Sequence, residues 1–314
     1  MLKVVLLGTG GMIPLRDRAL ASLIASWNGH SVLIDCGEGT QVQIRSSGIS
    51  FKSIDILLLT HYHADHVSGL PGLLLSIGNQ GRTEPLVIAG PPGLERVVNG
   101  LRVIAPELPF PVELLLIDPK SPESITYHGL MITPFALQHN IPCLGYQLHL
   151  PRAGKFDPER ALSNNVPMPC WSILQRQPEA EYDGHVYTRD MVMGPERRGL
   201  TVVYATDTRP VPLIAKMAKE ADLLVAEAMY GDPEKLPSAK EKAHMMMTEA
   251  AELARQAQPR RFWLTHYSPA MPDAEEWIAL AREIFPKTEP GFDGMTIDLQ
   301  YTDDMIADES CSPA

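Results

Sequence analysis

The sequence of 314 residues is short of cysteine, of long apolar runs and of basic charge. Its four cysteines, Cys36, Cys143, Cys170 and Cys311, form no CxxC pair. That excludes a thiolate zinc knuckle, a dithiol redox motif and a miniprotein built on disulfides. No uncharged apolar stretch reaches the roughly 18 residues that a membrane-spanning helix needs. The opening MLKVVLLGTGGMIP has too short an apolar run for a secretory signal and lacks a small-residue cleavage site. A cytoplasmic protein without a membrane partner is expected. Lysine and arginine number 27 against 38 aspartates and glutamates, a net charge of -11. A broadly basic nucleic-acid surface is therefore disfavoured, while a local anion site is not. What is present is 45% apolar content, ample for a core in one large domain, and ten unevenly placed histidines.

Apolar runs at 2–7, 20–25, 31–35, 54–59, 86–89, 112–117, 131–137, 201–205, 223–226, 262–264 and 297–301 read as strands. Asn28-Gly29 and Pro91-Pro92-Gly93 punctuate them as turns. Helices are expected at 40–45 with Thr40 as cap, and at 70–77, 94–103 and 274–284. Ser238 and Glu241 have capping-box spacing and predict one helix running through Ala257. Strands in both halves with helices between them predict an α/β sandwich of two sheets with helices outside. Between 151 and 200 the rhythm is lost: six prolines, and seven basic residues balanced by seven acidic ones. Residues 151–200 read as a lobe inserted into a domain of 1–150 and 201–302, with 303–314 a polar, flexible tail.

Four polar sites follow strands. His61, His63, Asp65 and His66, in HYHADH, follow the run at 54–59; His139 follows 131–137; Asp207 follows 201–205; His266 follows 262–264. Ligands in layered α/β folds bind beyond the carboxyl ends of strands, so four such placements predict one shared site. His61 and His63 can converge on one ion, Asp65 and His66 on a second. His139 and His266 complete the two sets, and Asp207 can offer one carboxylate oxygen to each. Two dications less Asp65, Asp207 and a hydroxide leave about +1, which favours an anionic phosphodiester. Metal-acidified water removes any need for a serine or cysteine nucleophile.

The motifs carry a resemblance. LGTG at 7–10, DCGEGTQ at 35–41, THYHADHVSGLPGLL at 60–74, HNIPCLGY at 139–146, DTRP at 207–210, EA at 227–228 and LTHYSP at 264–269 resemble the tRNase Z branch of the metallo-β-lactamase superfamily. SGLPGLL is the more specific part, since the wider superfamily shares HxHxDH. The resemblance implies an αβ/βα sandwich of two mixed sheets flanked by helices with a small inserted arm, homodimerisation, and removal of 3′ trailers from precursor tRNA. It assigns His61, His63 and His139 to one zinc and Asp65, His66 and His266 to the other, with Asp207 bridging and manganese as a substitute ion. Asp65 is also implied to handle the proton of the attacking water. His244 occupies the place of the family's proton donor to the leaving 3′ oxygen. The lobe at 151–200 resembles the family's tRNA-binding arm, where Trp171 stacks on RNA or anchors the lobe, and Arg197-Arg198 is a candidate phosphate contact. The chain departs from the family pattern at Ala64, Thr206, Ala226 and Ala270, none of them an implied ligand.

Two other readings keep parts of this. One retains the metals and changes the substrate to a small phosphodiester or other ester. The other is a non-catalytic dimeric binding protein with structural metals, which the complete ligand set argues against, since a closed structural site leaves no open position.

Overall fold

The computed structural model describes residues 1–302, and the expected tail at 303–314 lies outside them. The first half contributes β1 (Leu2–Gly8), β2 (Ser22–Trp27), β3 (His30–Ile34), β4 (Ile54–Leu58), β5 (Leu86–Gly90) and β6 (Val112–Leu116). Then come β7 (Ile125–Tyr127), β8 (Leu130–Leu137), β9 (Cys143–Arg152), and the short β10 (Glu179–Tyr182) and β11 (His185–Thr188). The last strands are β12 (Arg197–Ala205), β13 (Leu223–Glu227), β14 (Phe262–Thr265), β15 (Thr288–Pro290) and β16 (Thr296–Leu299). Two seven-stranded sheets result, in the orders β16-β1-β2-β3-β4-β5-β6 and β15-β14-β13-β12-β9-β8-β7. Both are mixed. β3 to β6 run parallel, as do β12 to β15, while β16-β1-β2-β3 and β7-β8-β9 are antiparallel.

The residues explain the layers. β4, IDILL, is buried at every position, as a parallel strand covered on both faces must be. One face of the first sheet packs Leu33 and Leu57 into a core with α1 (Thr40–Ser47), α2 (Ala64–Val67), α3 (Leu70–Asn79) and α4 (Leu94–Leu101). In α3 the buried Leu70, Leu73, Leu74 and Ile77 recur at helical spacing. Each fully buried leucine stabilises by about 1.5–3 kcal/mol. Opposite faces of the sheets meet near β4 and β9: the Tyr146 hydroxyl donates to the Leu59 carbonyl at 2.6 Å, and Leu144 N–H to Thr60 at 2.9 Å.

Residues 150–200 form a second compact unit with its own small core. It contains α5 (Pro158–Ser163), α6 (Met168–Leu174) and the β10–β11 hairpin. Ala161, Val166, Cys170 and Leu174 are buried there, with Phe156 and Trp171 packed against them. The second half adds α7 (Pro212–Met217), α8 (Leu236–Lys242), α9 (Met247–Ala257) and α10 (Glu275–Ile284), of which α7, α9 and α10 pack on the second sheet. α9 packs Met247, Ala250, Ala251 and Ala254 against Leu224, Phe262 and Leu264 in one core.

Several expectations need correction. The single helix expected from Ser238 to Ala257 is two, because Ala243 adopts a left-handed conformation (φ 58°) that ends α8. Ser238 lies inside α8. The box that starts α9 is Met246 with Glu249. Thr40 is the first helical residue of α1 behind Gly39 as cap, and its hydroxyl donates to Gly37 instead. β9 was not expected as a strand, although Leu144, Tyr146, Leu148 and Leu150 alternate and are buried.

Candidate metal centre

Each candidate ligand sits just past the carboxyl end of a strand. Thr60 and His61 follow β4, His139 follows β8, Asp207 follows β12 and His266 follows β14. Asp65 and His66 lie on the short α2 that turns the chain away from β4. Asp207 (φ 56°) and His266 (φ 57°) hold left-handed backbones. Such conformations cost about 1–3 kcal/mol and gather at functional sites. All seven candidates come together.

The seven form two groups that share one carboxylate. In the first, His63 Nδ1 lies 3.0 Å from His61 Nε2 and 3.2 Å from His139 Nε2. Asp207 Oδ2 is 3.7 Å from His61 Nε2 and 3.9 Å from His139 Nε2. In the second, His66 Nε2 and His266 Nε2 are 3.2 Å apart, and each is 3.2 Å from Asp207 Oδ1. Asp65 Oδ2 lies 3.6 Å and 3.5 Å from the same two nitrogens. One oxygen of Asp207 thus faces each group.

The donor set fits a cation. The Thr60 hydroxyl spends its proton on Asp35, so it accepts from His61 Nδ1 at 3.0 Å. His139 Nδ1 donates to the Ala243 carbonyl at 3.1 Å. Both rings then present Nε2 lone pairs towards His63 Nδ1, and one proton on His63 can satisfy only one of them. Three convergent imidazole nitrogens of this kind suit a divalent metal. Burial holds His61, His63 and His139 below the ordinary histidine range, in the neutral form that ligates. Burial pushes His66 the same way, but the Asp207 and Asp35 carboxylates outweigh it and raise it well above. A proton on His66 there answers the negative charge that an ion would otherwise neutralise.

Supporting residues surround the seven. Asp35 is fully buried after β3, with a left-handed backbone (φ 61°). Its Oδ2 lies 2.8 Å from His66 Nδ1, and its Oδ1 accepts from Thr60 N at 2.8 Å. This is the carboxylate–histidine–metal arrangement. Sequence reading passed over Asp35 as a site residue, although DCGEGTQ marked its position. Gly11 lies flat on His266, where a Cβ would come within 2.6 Å of the ring. Residues 8–11 therefore run tightly against the site. Thr206, one of the departures from the family pattern, donates to Asp207 Oδ1 at 2.8 Å.

His244 lies in the connection between α8 and α9, not on a helix, and is mostly buried. Its Nδ1 is 3.1 Å from Glu227 Oε2 and 3.9 Å from Asp207 Oδ2. Glu227, at the end of β13, is fully buried and also accepts from Thr208 N. Burial disfavours the charged imidazole, but the Glu227 charge and hydrogen bond prevail and raise His244 to about 9. Sequence reading gave Glu227 no role beyond its motif.

Arg197, Arg198 and Trp171 lie in the 150–200 unit and are not among the residues gathered at the metal centre. The Trp171 indole donates to the Val166 carbonyl at 2.8 Å and its ring lies 5.3 Å from Phe156, an anchor's geometry. Arg197 Nε donates to Ala153 O at 3.0 Å. Elsewhere, His30, Asp55 and His128 come together at the amino ends of β3 and β4. The His30 and His128 rings stack at 3.7 Å and 7°, so their lone pairs run side by side and do not meet at a point. Arg82 lies 3.2 Å from Asp55 and neutralises it, and packing accounts for the group.

The chain is 51% identical over 302 residues to a ribonuclease Z of Lachnoclostridium phytofermentans, covering 96% of this chain and 99% of that protein. It is 49% identical over 304 residues to a ribonuclease Z of Lachnospira eligens, covering 97% and 100%. The chain belongs to the ribonuclease Z family. The resemblance carried by the motifs is thus borne out along nearly its whole length. Residues 190–267 match the family described as beta-lactamase superfamily domain, and residues 2–94 the family described as anti-Pycsar protein Apyc1. In fold the chain is similar to human tRNase Z, short form, with a TM-score of 0.67 at 24% identity over 95% of this chain and all of that one. It is also similar to a diphosphatase of the PhnP family, with a TM-score of 0.63 at 18% identity over 94% and 96%. The metallo-β-lactamase sandwich expected from the sequence is the fold observed. No helix among the described residues is long and apolar enough to cross a membrane.

Proposed function

We propose that this protein is a metal-dependent endoribonuclease that removes the 3′ trailer from precursor tRNA. The observation that carries the reading is the pair of ligand groups sharing Asp207, in a chain half identical to a ribonuclease Z. His61, His63, His139 and Asp207 Oδ2 would hold one zinc ion. Asp65, His66, His266 and Asp207 Oδ1 would hold the other, with manganese able to substitute. When bound, such ions polarise phosphoryl oxygen and acidify water.

The chain's own residues do the rest. Asp65 takes the proton of the water whose oxygen attacks phosphorus. The bond from phosphorus to the 3′ oxygen breaks, and His244 gives that oxygen its proton from Nε2. Glu227 holds His244 Nδ1, fixing the ring and keeping it charged for donation. Residues 151–200 serve as the RNA-binding arm, with Trp171 anchoring its core and Arg197 and Arg198 meeting phosphate. The reading includes a homodimer and a cytoplasmic setting. The free, buried thiols of Cys36, Cys143 and Cys170 suit the second.

A small phosphodiester is the competing substrate, and one comparison separates the two. Zinc-loaded protein should cut precursor tRNA just past the acceptor stem and bind two zinc ions per chain by metal analysis. Fast turnover of bis(p-nitrophenyl) phosphate with no binding of precursor tRNA would replace the substrate assignment. Less than one zinc per chain after supplementation would remove the metal assignment.

A further inference from the structure

The loop that carries His244 is fastened by its carbonyl oxygens. Ala243 ends α8, and the chain must cross to Met246, the cap of α9, in an exposed-to-buried connection with no helical ladder of its own. Three successive carbonyls accept from side chains of other elements. Lys242 accepts from Asn140 Nδ2 at 3.2 Å, Ala243 from His139 Nδ1 at 3.1 Å, and His244 from an Arg209 terminal nitrogen. The same guanidinium pairs with both carboxylate oxygens of Glu249, one at 2.9 Å. Glu249 in turn accepts from Met246 N at 2.9 Å. Arg209 therefore grips both ends of the His244 connection. Arg209 is itself fixed, donating from its backbone N–H to Gln138 O at 2.8 Å, two residues beyond Asp207.

We infer that Arg209 is a positioning residue that sets the His244 ring against the leaving oxygen. The inference rests on the proton-donor role of His244 proposed above. Three features favour positioning over a contact with substrate phosphate. The guanidinium is largely buried, it is paired bidentately, and it also serves a backbone carbonyl of the acid itself. A planar fork can hold Glu249 and the carbonyl together, and a lysine ammonium cannot match that geometry. A misplacement of about 1 Å in a reacting group costs on the order of 100-fold.

The test compares two leaving groups. The 3′ oxygen of RNA leaves as a poor alkoxide and needs a proton, whereas p-nitrophenolate leaves without one. Single-turnover rates at saturating substrate are measured for wild type, Arg209→Ala, Arg209→Lys and His244→Ala, with zinc content recorded. Arg209→Ala should slow precursor-tRNA cleavage by about 10–100-fold while turnover of bis(p-nitrophenyl) phosphate stays within about threefold. Arg209→Lys should recover only part of the loss, and adding Arg209→Ala to His244→Ala should cost little more. The ratio of the two rates does not depend on how much of a variant is folded. Equal losses on both substrates, full recovery by lysine, or an undiminished rate at saturating precursor tRNA would overturn the inference. A His244→Ala enzyme that cuts precursor tRNA at the wild-type rate would instead sink the proton-donor reading, and the inference with it.

Discussion

At the scale of single residues, Asp35 shows how a side chain can govern the metal centre from behind it. Its carboxylate reaches His66 Nδ1 at 2.8 Å and accepts from both the backbone N–H and the hydroxyl of Thr60, whose hydroxyl in turn orients His61. Asparagine would keep the shape but lose the charge that holds Nδ1 as the donor and so leaves Nε2 of His66 for a bound ion. Asp35→Asn should weaken zinc binding by about 10–100-fold, with the loss concentrated in the His66 and His266 group. Competition against a chromophoric chelator measures it, and unchanged affinity for both ions would show that Asp35 is only a folding residue. The seven candidate ligands were legible because each follows an apolar run and chemistry confines histidine and aspartate there to few roles. Asp35 and Glu227 were not. Their partners lie 31 and 17 residues away, and no local pattern reports a hydrogen bond across that distance.

At the scale of elements, the parallel strands β3 to β6 and β12 to β14 were readable, because buried parallel strands are near-continuous apolar runs, whereas the short edge strands β7 and β15 were not. β9 hid behind Gly145, His149 and Pro151, although its alternate residues are apolar. The break between α8 and α9 was illegible for a different reason. Alanine has the highest helix propensity, yet Ala243 is left-handed. Tertiary hydrogen bonds to the Lys242, Ala243 and His244 carbonyls outweigh the local preference there. The 150–200 unit offers an element-scale test of the arm proposal. It is entered from β9 and left into β12, which neighbour each other in the second sheet, so a short linker can replace residues 153–196. If the unit supplies remote RNA binding, its removal should lower kcat/KM for precursor tRNA by about 100-fold or more and leave bis(p-nitrophenyl) phosphate turnover within a few-fold. Far-UV circular dichroism checks that the sandwich is retained. Equal loss on both substrates, with the sandwich intact, would assign the unit to the active centre instead of to RNA.

At the scale of the whole molecule, the net charge of -11 sets how RNA can be held. A broadly basic protein making six or more phosphate contacts loses about a thousandfold in affinity when salt rises from roughly 50 to 200 mM, because each contact releases a counterion. Here the arm is charge-balanced, with seven basic and seven acidic residues between 151 and 200. Positive charge would then concentrate where Asp65 and Asp207 leave two dications partly uncompensated, at the ends of β4, β12 and β14. About two phosphate contacts are expected from such a surface, which corresponds to roughly a tenfold loss over the same salt range. Binding of precursor tRNA to zinc-loaded His244→Ala, followed by fluorescence anisotropy across that range, measures the slope. A thousandfold loss would mean that RNA is gripped along an extended basic track despite the acidic total. A tenfold loss would mean that shape and the metal centre do most of the holding, with the remaining acidic surface repelling RNA bound in any other register.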